Sequence, residues 1–422
     1  MGRFRFTTAL ALTLAGVISL PVLADQNQPS PTPQVSQAQP PLVTPAPEPA
    51  AKAAKEVAKE PAKELAKEPV KESVKDSEKK PAVPPSTLLQ LKVGDASLRF
   101  GILMQPQADF QQNLAGGYAQ NLLIRRARFL IGGQVTKSVF FFFETDSSRL
   151  GAANSAGVKT PNTGFQVLDA TAEWRPLKTF NISGGLIRVP TSRDALESAP
   201  SEFTIDFNTY AFMATTALGG TGGRDTGVMA RGYFLNDRLE YRAAMVSGMR
   251  ENGNRNTFRK VGRLQYDFFD KEVYNYPSYV GSNFGTKKIV AFGAAVDSQV
   301  GYSGWTTDLF TDIPTSFGSA IGTVTYQNLD GARRSPTALA TQQIATIDGG
   351  VYLKKVKIGP WVRYEQRNFD ALKTRNEKRY IVGLNYYPMG NNFNIKTALS
   401  RLKPAAGRQM NQVTVQFQVY YY

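Results

Sequence analysis

The sequence predicts an all-β protein: a transmembrane antiparallel β-barrel of about sixteen strands, preceded by a disordered linker. Three observations carry this. The chain ends on QVTVQFQVYYY, where Val413, Val415, Phe417, Val419 and Tyr421 alternate with Thr414, Gln416 and Gln418. That two-residue period belongs to a strand with one apolar and one wet face. From Thr87 onward, segments of this texture recur between clusters of Gly, Asn, Asp, Ser and Pro, each about long enough to cross a bilayer when tilted. The gaps between them alternate in length, as short periplasmic turns and longer external loops do in a barrel.

Residues 1–24 read as a signal peptide. Arg3 and Arg5 precede an apolar run from Ala9 to Leu20, and Val22 and Ala24 are small residues before a cut after Ala24. The run is shorter than the ~20 residues a spanning helix needs. Residues 25–86 form a low-complexity Pro/Ala/Lys/Glu segment with no aromatic residue, which cannot bury a core. Inside it a four-residue repeat runs from Ala54 to Ser77, interrupted by Pro61 and Pro69. A four-residue period drifts around a 3.6-residue helix and the prolines break it. The expectation is an extended periplasmic tether, roughly 190 Å long as polyproline II, with peptidoglycan contact as a further option.

Residues 87–422 form the predicted barrel. Strands are expected near 97–111, 121–136, 138–146, 165–175, 180–189, 226–234, 239–248, 256–268, 287–297, 304–313, 318–327, 343–354, 356–366, 377–387, 392–402 and 411–421. Two features break the pattern. Pro106 falls on the apolar face of the first strand, and the gap from Lys271 to Thr286, which should be a short periplasmic turn, has sixteen residues. Past Ala24 no apolar stretch approaches spanning-helix length; IVAFGAAV, from Ile289 to Val296, is strand-sized.

The chain has no cysteine and no histidine. That excludes a disulfide framework, thiol chemistry and Ser-His-Asp hydrolysis. No constellation points to an enzyme, a cofactor or a metal site. Nucleic-acid binding is unsupported, because the basic excess is spread over the loops of an exported protein.

LLIRRARFLIGGQV followed by VFFFFETD resembles the second and third strands of the phosphate-selective porin O and P family, and FNISGGLIRVP looks like that family's fifth strand. The resemblance implies a sixteen-stranded trimeric outer-membrane porin whose long loop after the fifth strand, here Pro190–Asp225, occupies the place where the family folds its third external loop into the pore. It also implies that the barrel-assembly machinery reads the C-terminal strand, with Phe417, Val419 and Tyr421 as the in-phase signal. One departure bears on the solute. The family usually carries Gly-Gln-Phe-Lys-Glu-Pro where this chain has GGLIRVP, so Arg188 replaces the lysine and the acidic residue is absent.

The whole chain carries a formal charge of +16, and the barrel portion holds 39 basic against 25 acidic residues. Alternation within each strand turns Arg99, Arg126, Arg128, Arg231, Arg242, Arg259, Arg263, Lys354, Arg363, Arg379 and Lys396 inward. It also turns inward Asp109, Glu144, Asp146, Asp169, Glu173, Glu240, Asp267, Asp308, Asp312, Asp348 and Glu365. The strand lumen is therefore near charge balance, with the excess in loops and rims. The long loop carries Arg193 and Arg224 against Asp194, Glu197, Glu202, Asp206 and Asp225 and is net acidic. Folded inward, it would face an arginine wall and create a transverse field that sorts solutes by charge. Arginine suits carboxylate and phosphate because its planar donors bind two oxygens at once.

The expected function is passive diffusion of small polar solutes across the bacterial outer membrane with a modest anion preference, phosphate or organic anions being candidate cargo. The alternative is a structural anchor tied to the cell wall through the linker.

Overall fold

The computed structural model describes residues 89–113, 116–153, 159, 164–220, 222–250, 257–274 and 278–422. The signal peptide and linker readings lie outside these residues. Among the described residues no helix is long and apolar enough to cross a membrane; the crossing elements are strands.

All sixteen predicted strands form. In chain order they are β2 (Ala96–Gln112), β3 (Tyr118–Thr136), β4 (Val139–Asp146), β5 (Gln166–Leu177), β6 (Phe180–Arg188), β7 (Arg224–Phe234), β8 (Leu239–Val246), β9 (Arg259–Asp267), β10 (Ile289–Gln299), β11 (Tyr302–Thr315), β12 (Gly318–Asp330), β13 (Gln342–Leu353), β14 (Ile358–Phe369), β15 (Glu377–Tyr386), β16 (Phe393–Pro404) and β17 (Met410–Tyr421). Each pairs antiparallel with its neighbours in the chain, and β17 closes on β2 from Gln412↔Gln111 to Tyr421↔Ile102. Closure leaves no unpaired barrel edge. The terminal alternating segment is thus the closing strand.

A further short strand, β1 (Gln90–Val93), was not anticipated. It folds back through Gly94 (φ 58°) and pairs with β2 from Gln90↔Arg99 to Val93↔Ala96, beyond the reach of β17. Four residues are too few for the alternation to register in the sequence.

The faces follow the alternation. Phe129, Leu264, Phe292, Val296, Val362, Leu384, Phe417 and Val419 stand exposed on the outside, where lipid covers them. Between them, Arg128, Arg263, Asp297, Arg363, Asn385, Gln416 and Gln418 are buried on the inside. Lys354 is a correction: β13 ends at Leu353, so Lys354 lies exposed in the following turn instead of in the lumen. Most turns at one end are short. Lys137 and Ser138 join β3 to β4, and Leu235, Asn236 and Asp237 take left-handed backbone conformations (φ 52°, 56° and 66°) between β7 and β8. Asn and Asp tolerate that region. The opposite end carries the long connections, although β10 and β11 there are joined by Val300 and Gly301 alone.

The last two residues separate by face. Tyr422 sits inside, its ring 5.9 Å edge-on from Phe142 and 4.8 Å beneath the Arg99 guanidinium, while Tyr421 follows the outward phase of Phe417 and Val419. If assembly reads the outward aromatic, Tyr421→Ser lowers the yield of folded, heat-modifiable barrel in outer membranes more than Tyr422→Ser. Equal losses would contradict that register.

Candidate functional site: a constriction across the lumen

The third strand positions the first elements of the site. Across β2 and β3 the register passes from Met104↔Ala127 to Pro106↔Ile124, so Arg125 and Arg126 together oppose Gln105. This is a β-bulge, and it explains why Pro106 is tolerated: the ladder is already interrupted there. A bulge also changes the inward phase, so two consecutive arginines reach the same partner. Arg125 Nε donates to Asp206 Oδ2 at 2.7 Å and Arg126 Nη2 to Asp206 Oδ1 at 2.5 Å. Arg126 also donates to Gln105 Oε1 (2.7 Å) and lies over the Phe207 ring. Burial opposes the charged form of Asp206, but Arg125 and Arg126 outweigh it and hold its carboxyl well below the usual range.

The partner comes from the long loop between β6 and β7, whose described residues 189–220 cross the lumen to reach the far wall. Ser192 Oγ accepts from Ala195 N (3.1 Å) and caps a short helix, α1 (Arg193–Leu196); a second, α2 (Thr209–Met213), follows. Phe203 and Ile205 pack against Ile289, Phe310, Ile321, Trp361, Ile381 and Tyr387 of the inner wall. Tyr210, Ala211, Ala214 and Leu218 pack against Tyr302, Leu329, Leu339 and Ile344. Polar contacts complete the seat. Arg363 bonds Thr204 Oγ1 (2.6 Å) and Asp206 O (2.7 Å) and lies 3.6 Å from Glu202; Lys396 Nζ donates to Glu202 O (2.5 Å), and Glu365 accepts from Thr209 N (2.6 Å). Asp194 accepts from Thr325 Oγ1 (2.8 Å) and from Asn208; burial pushes it up to about 6 against those bonds. Burial and then Glu202 raise Glu197 as well, against the pull of Arg193.

The other expected arginines form a ladder of internal ion pairs. Arg128 bonds Glu144 (2.9 Å) and Asp146 (3.1 Å). Arg188 reaches Glu197 O (2.8 Å) and Glu144 (3.4 Å), and Arg224, the first residue of β7, bonds Asp169 (2.8 Å). Arg231 pairs with Glu173 (2.7 Å), Arg242 with Glu240 (3.0 Å), Arg259 with Asp297 (2.6 Å) and Arg263 with Asp308 (2.6 Å). All are buried. A guanidinium locked to a carboxylate stiffens the wall more than it attracts an ion. Arg99 stands apart, partly exposed beside Tyr422.

Solvent access distinguishes one contact. Among the ion pairs joining the loop to the wall, Arg125–Asp206 leaves 25% and 27% of its side chains exposed, whereas Arg363–Glu202 leaves 2% and 11%. The open side of the constriction therefore lies along β3 at Arg125; on the neighbouring β2 and β17, Gln107, Gln412 and Thr414 surround the buried Asp109 with hydrogen bonds of 2.8–3.0 Å. Strand alternation does not reveal Arg125, since a bulge shifts the phase and one extra residue in the nineteen of β3 carries no warning beyond Pro106 across the ladder.

The sixteen-residue gap also belongs to the site. Between β9 and β10, Glu272 lies in the lumen, where Arg193 Nη1 and Nη2 fork onto its Oε2 (2.6 Å) and Oε1 (3.0 Å). Glu272 and Tyr279 were not among the expected site residues.

A family model, phosphate-selective porin O and P, matches residues 100–284. A search of curated protein sequences found no match. Similar solved structures include the anion-selective porin from Comamonas acidovorans, at TM-score 0.55 and 12% identity over 77% of this chain and 100% of that one. OmpF of Salmonella typhi in complex with daunomycin matches at TM-score 0.51 and 12% identity, over 79% and 100%. The outer membrane channel DcaP of Acinetobacter baumannii matches at TM-score 0.50 and 11% identity, over 78% and 99%. At these identities what is shared is the fold, a closed porin barrel. With its closed barrel and a loop crossing the lumen, the chain is similar to the phosphate-selective porin O and P family over residues 100–284 and is a passive channel of the outer membrane.

Proposed function

We propose that the channel passes small polar solutes with a modest preference for anions, phosphate and organic anions among them, along the side of the constriction marked by Arg125. The observation that carries this is the bulge: two guanidiniums share the single carboxylate of Asp206, in the loop-to-wall contact most open to solvent. The local excess of one positive charge stands where a narrow, low-dielectric passage gives it most effect on an approaching ion. Arg99, partly exposed beside Tyr422, adds to it at another level of the lumen. The Comamonas porin, described as anion-selective, lends support at the level of a shared fold. A homotrimer is part of the same reading, as are outer-membrane lipid around the barrel and the periplasmic linker as a tether.

Planar-bilayer recording of the purified protein under a salt gradient tests it. Discrete conductance steps with a reversal potential of anion-selective sign are expected. A cation-selective sign would refute the preference, and absent steps would refute the channel in favour of the anchor. Deleting residues 26–85 should leave conductance unchanged, whereas an anchor would lose its envelope phenotype.

A further inference from the structure

We propose that the segment between β9 and β10 is a pore-narrowing insert, entering the lumen from the end opposite the constriction loop, and that Tyr279 on it sets the width of the passage. The proposal rests on the channel reading. Joining neighbouring antiparallel strands takes two to five residues, and the ends of this connection already meet: Asp270 N donates to Lys288 O at 2.9 Å, and Lys288 N to Asp270 Oδ2 at 2.7 Å. The residues between them are not needed to close the hairpin. Among the described residues, Glu272, Tyr279, Gly281 and Phe284 go inward instead.

There they build a second half of the constriction. Tyr279 N donates to Leu196 O and Ser198 N to Tyr279 O, both at 2.9 Å, forming a parallel bridge of Tyr279 with Glu197 of the constriction loop. Gly281 N donates to Ser201 Oγ (3.0 Å), and Arg193, forked onto Glu272, also donates to Val280 O (3.1 Å). Tyr279 is fully buried. Its hydroxyl donates to Glu240 at 2.5 Å, and its ring lies 4.8, 4.9 and 5.6 Å from the guanidinium carbons of Arg242, Arg193 and Arg263. Below it, Asn283 N donates to Asp312 at 2.6 Å, and Phe284 packs between Tyr352 and Tyr387 at 4.8 and 5.0 Å. The insert thus ties the loop to the walls of β8 and β9, filling the side of the lumen away from Arg125. Its aromatic ring, wedged among three guanidiniums, occupies space that water and solute would otherwise take. Width and charge are then set by different pieces: the insert closes one side and the bulge charges the other.

Two variants test this in planar bilayers, with heat-modifiable migration as the folding check. Replacing residues 271–286 by Asn-Gly keeps the paired ends Asp270 and Lys288; Tyr279→Ala keeps the whole chain. The shortened protein is expected to conduct about two-fold more or better than the unaltered one, because conductance follows the open cross-section. Tyr279→Ala should give a smaller rise in the same direction, and it decides the matter if the shortened barrel does not fold. Both should admit larger neutral sugars in liposome-swelling assays. A folded Tyr279→Ala barrel with unchanged conductance and sugar cut-off would overturn the insert while leaving the channel standing. Absence of conductance in the unaltered protein would overturn both.

Discussion

Asp206→Asn should shift the reversal potential in a salt gradient further toward anions. Asp206 is the only carboxylate bonded to either Arg125 or Arg126 among the described residues, at 2.7 and 2.5 Å, and its side chain is partly exposed. Neutralising it raises the local excess from one positive charge to two without removing the side chain's shape. In a narrow passage a single charge changes the potential felt by an ion by several kT at most, enough for a large change in permeability ratio. The amide still accepts one hydrogen bond, so the loop, held by Phe203, Ile205 and Tyr210 in apolar contacts, should stay seated. Arg125→Gln should move the potential the opposite way. If Asp206→Asn and Arg125→Gln gave the same selectivity, ions would not be passing this contact.

Glu144→Gln should produce the largest loss of stability among single wall substitutions. Glu144 is 2% exposed and lies within 3.5 Å of Arg128, Arg188 and Arg224. Removing its charge leaves three buried guanidiniums to share Asp146 and Asp169. Breaking a buried ion pair from one side costs about 3–5 kcal/mol, because the remaining charge stays buried and uncompensated. The expected readout is a lower temperature for conversion of the folded to the heat-denatured form on gels. Asp95→Asn provides the contrast: its pair with Lys137 is 3.7 Å long and leaves 58% and 82% of the two side chains exposed, so no measurable shift is expected. A Glu144→Gln barrel as stable as the Asp95→Asn one would mean that the ladder is solvated in a way the structure does not show.

How far the sequence announces this molecule depends on the range of the interaction. Strand alternation is local, so β2 to β17 and the inward direction of Arg126, Arg128, Arg231, Arg263 and Arg363 were legible from a two-residue period alone. Lys354 was misplaced because the period does not say where a strand ends. Arg125 was hidden because a bulge inserts one residue and reverses the face beyond it. The insert was visible only as an anomaly of length. Nothing local in Glu272 or Tyr279 indicates that their partners are Arg193, Leu196 and Ser198, some eighty residues earlier. The apolar inner wall around Phe310, Trp361 and Tyr387 is not announced by the sequence: a water-filled lumen needs no such surface, and Phe203 and Ile205 of the inward loop, with Phe284 of the insert, supply the company that covers it.

The claim that ions pass beside Arg125 has one direct test. Because the natural chain has no cysteine, a single Arg125→Cys substitution is an addressable probe. Current is recorded while a negatively charged thiosulfonate reagent is added. The reagent is expected to lower the conductance irreversibly and push selectivity toward cations for Arg125→Cys, and to do neither for Phe129→Cys on the lipid-facing side. An unaltered current and reversal potential at position 125, with labelling of the thiol verified by mass, would contradict that path.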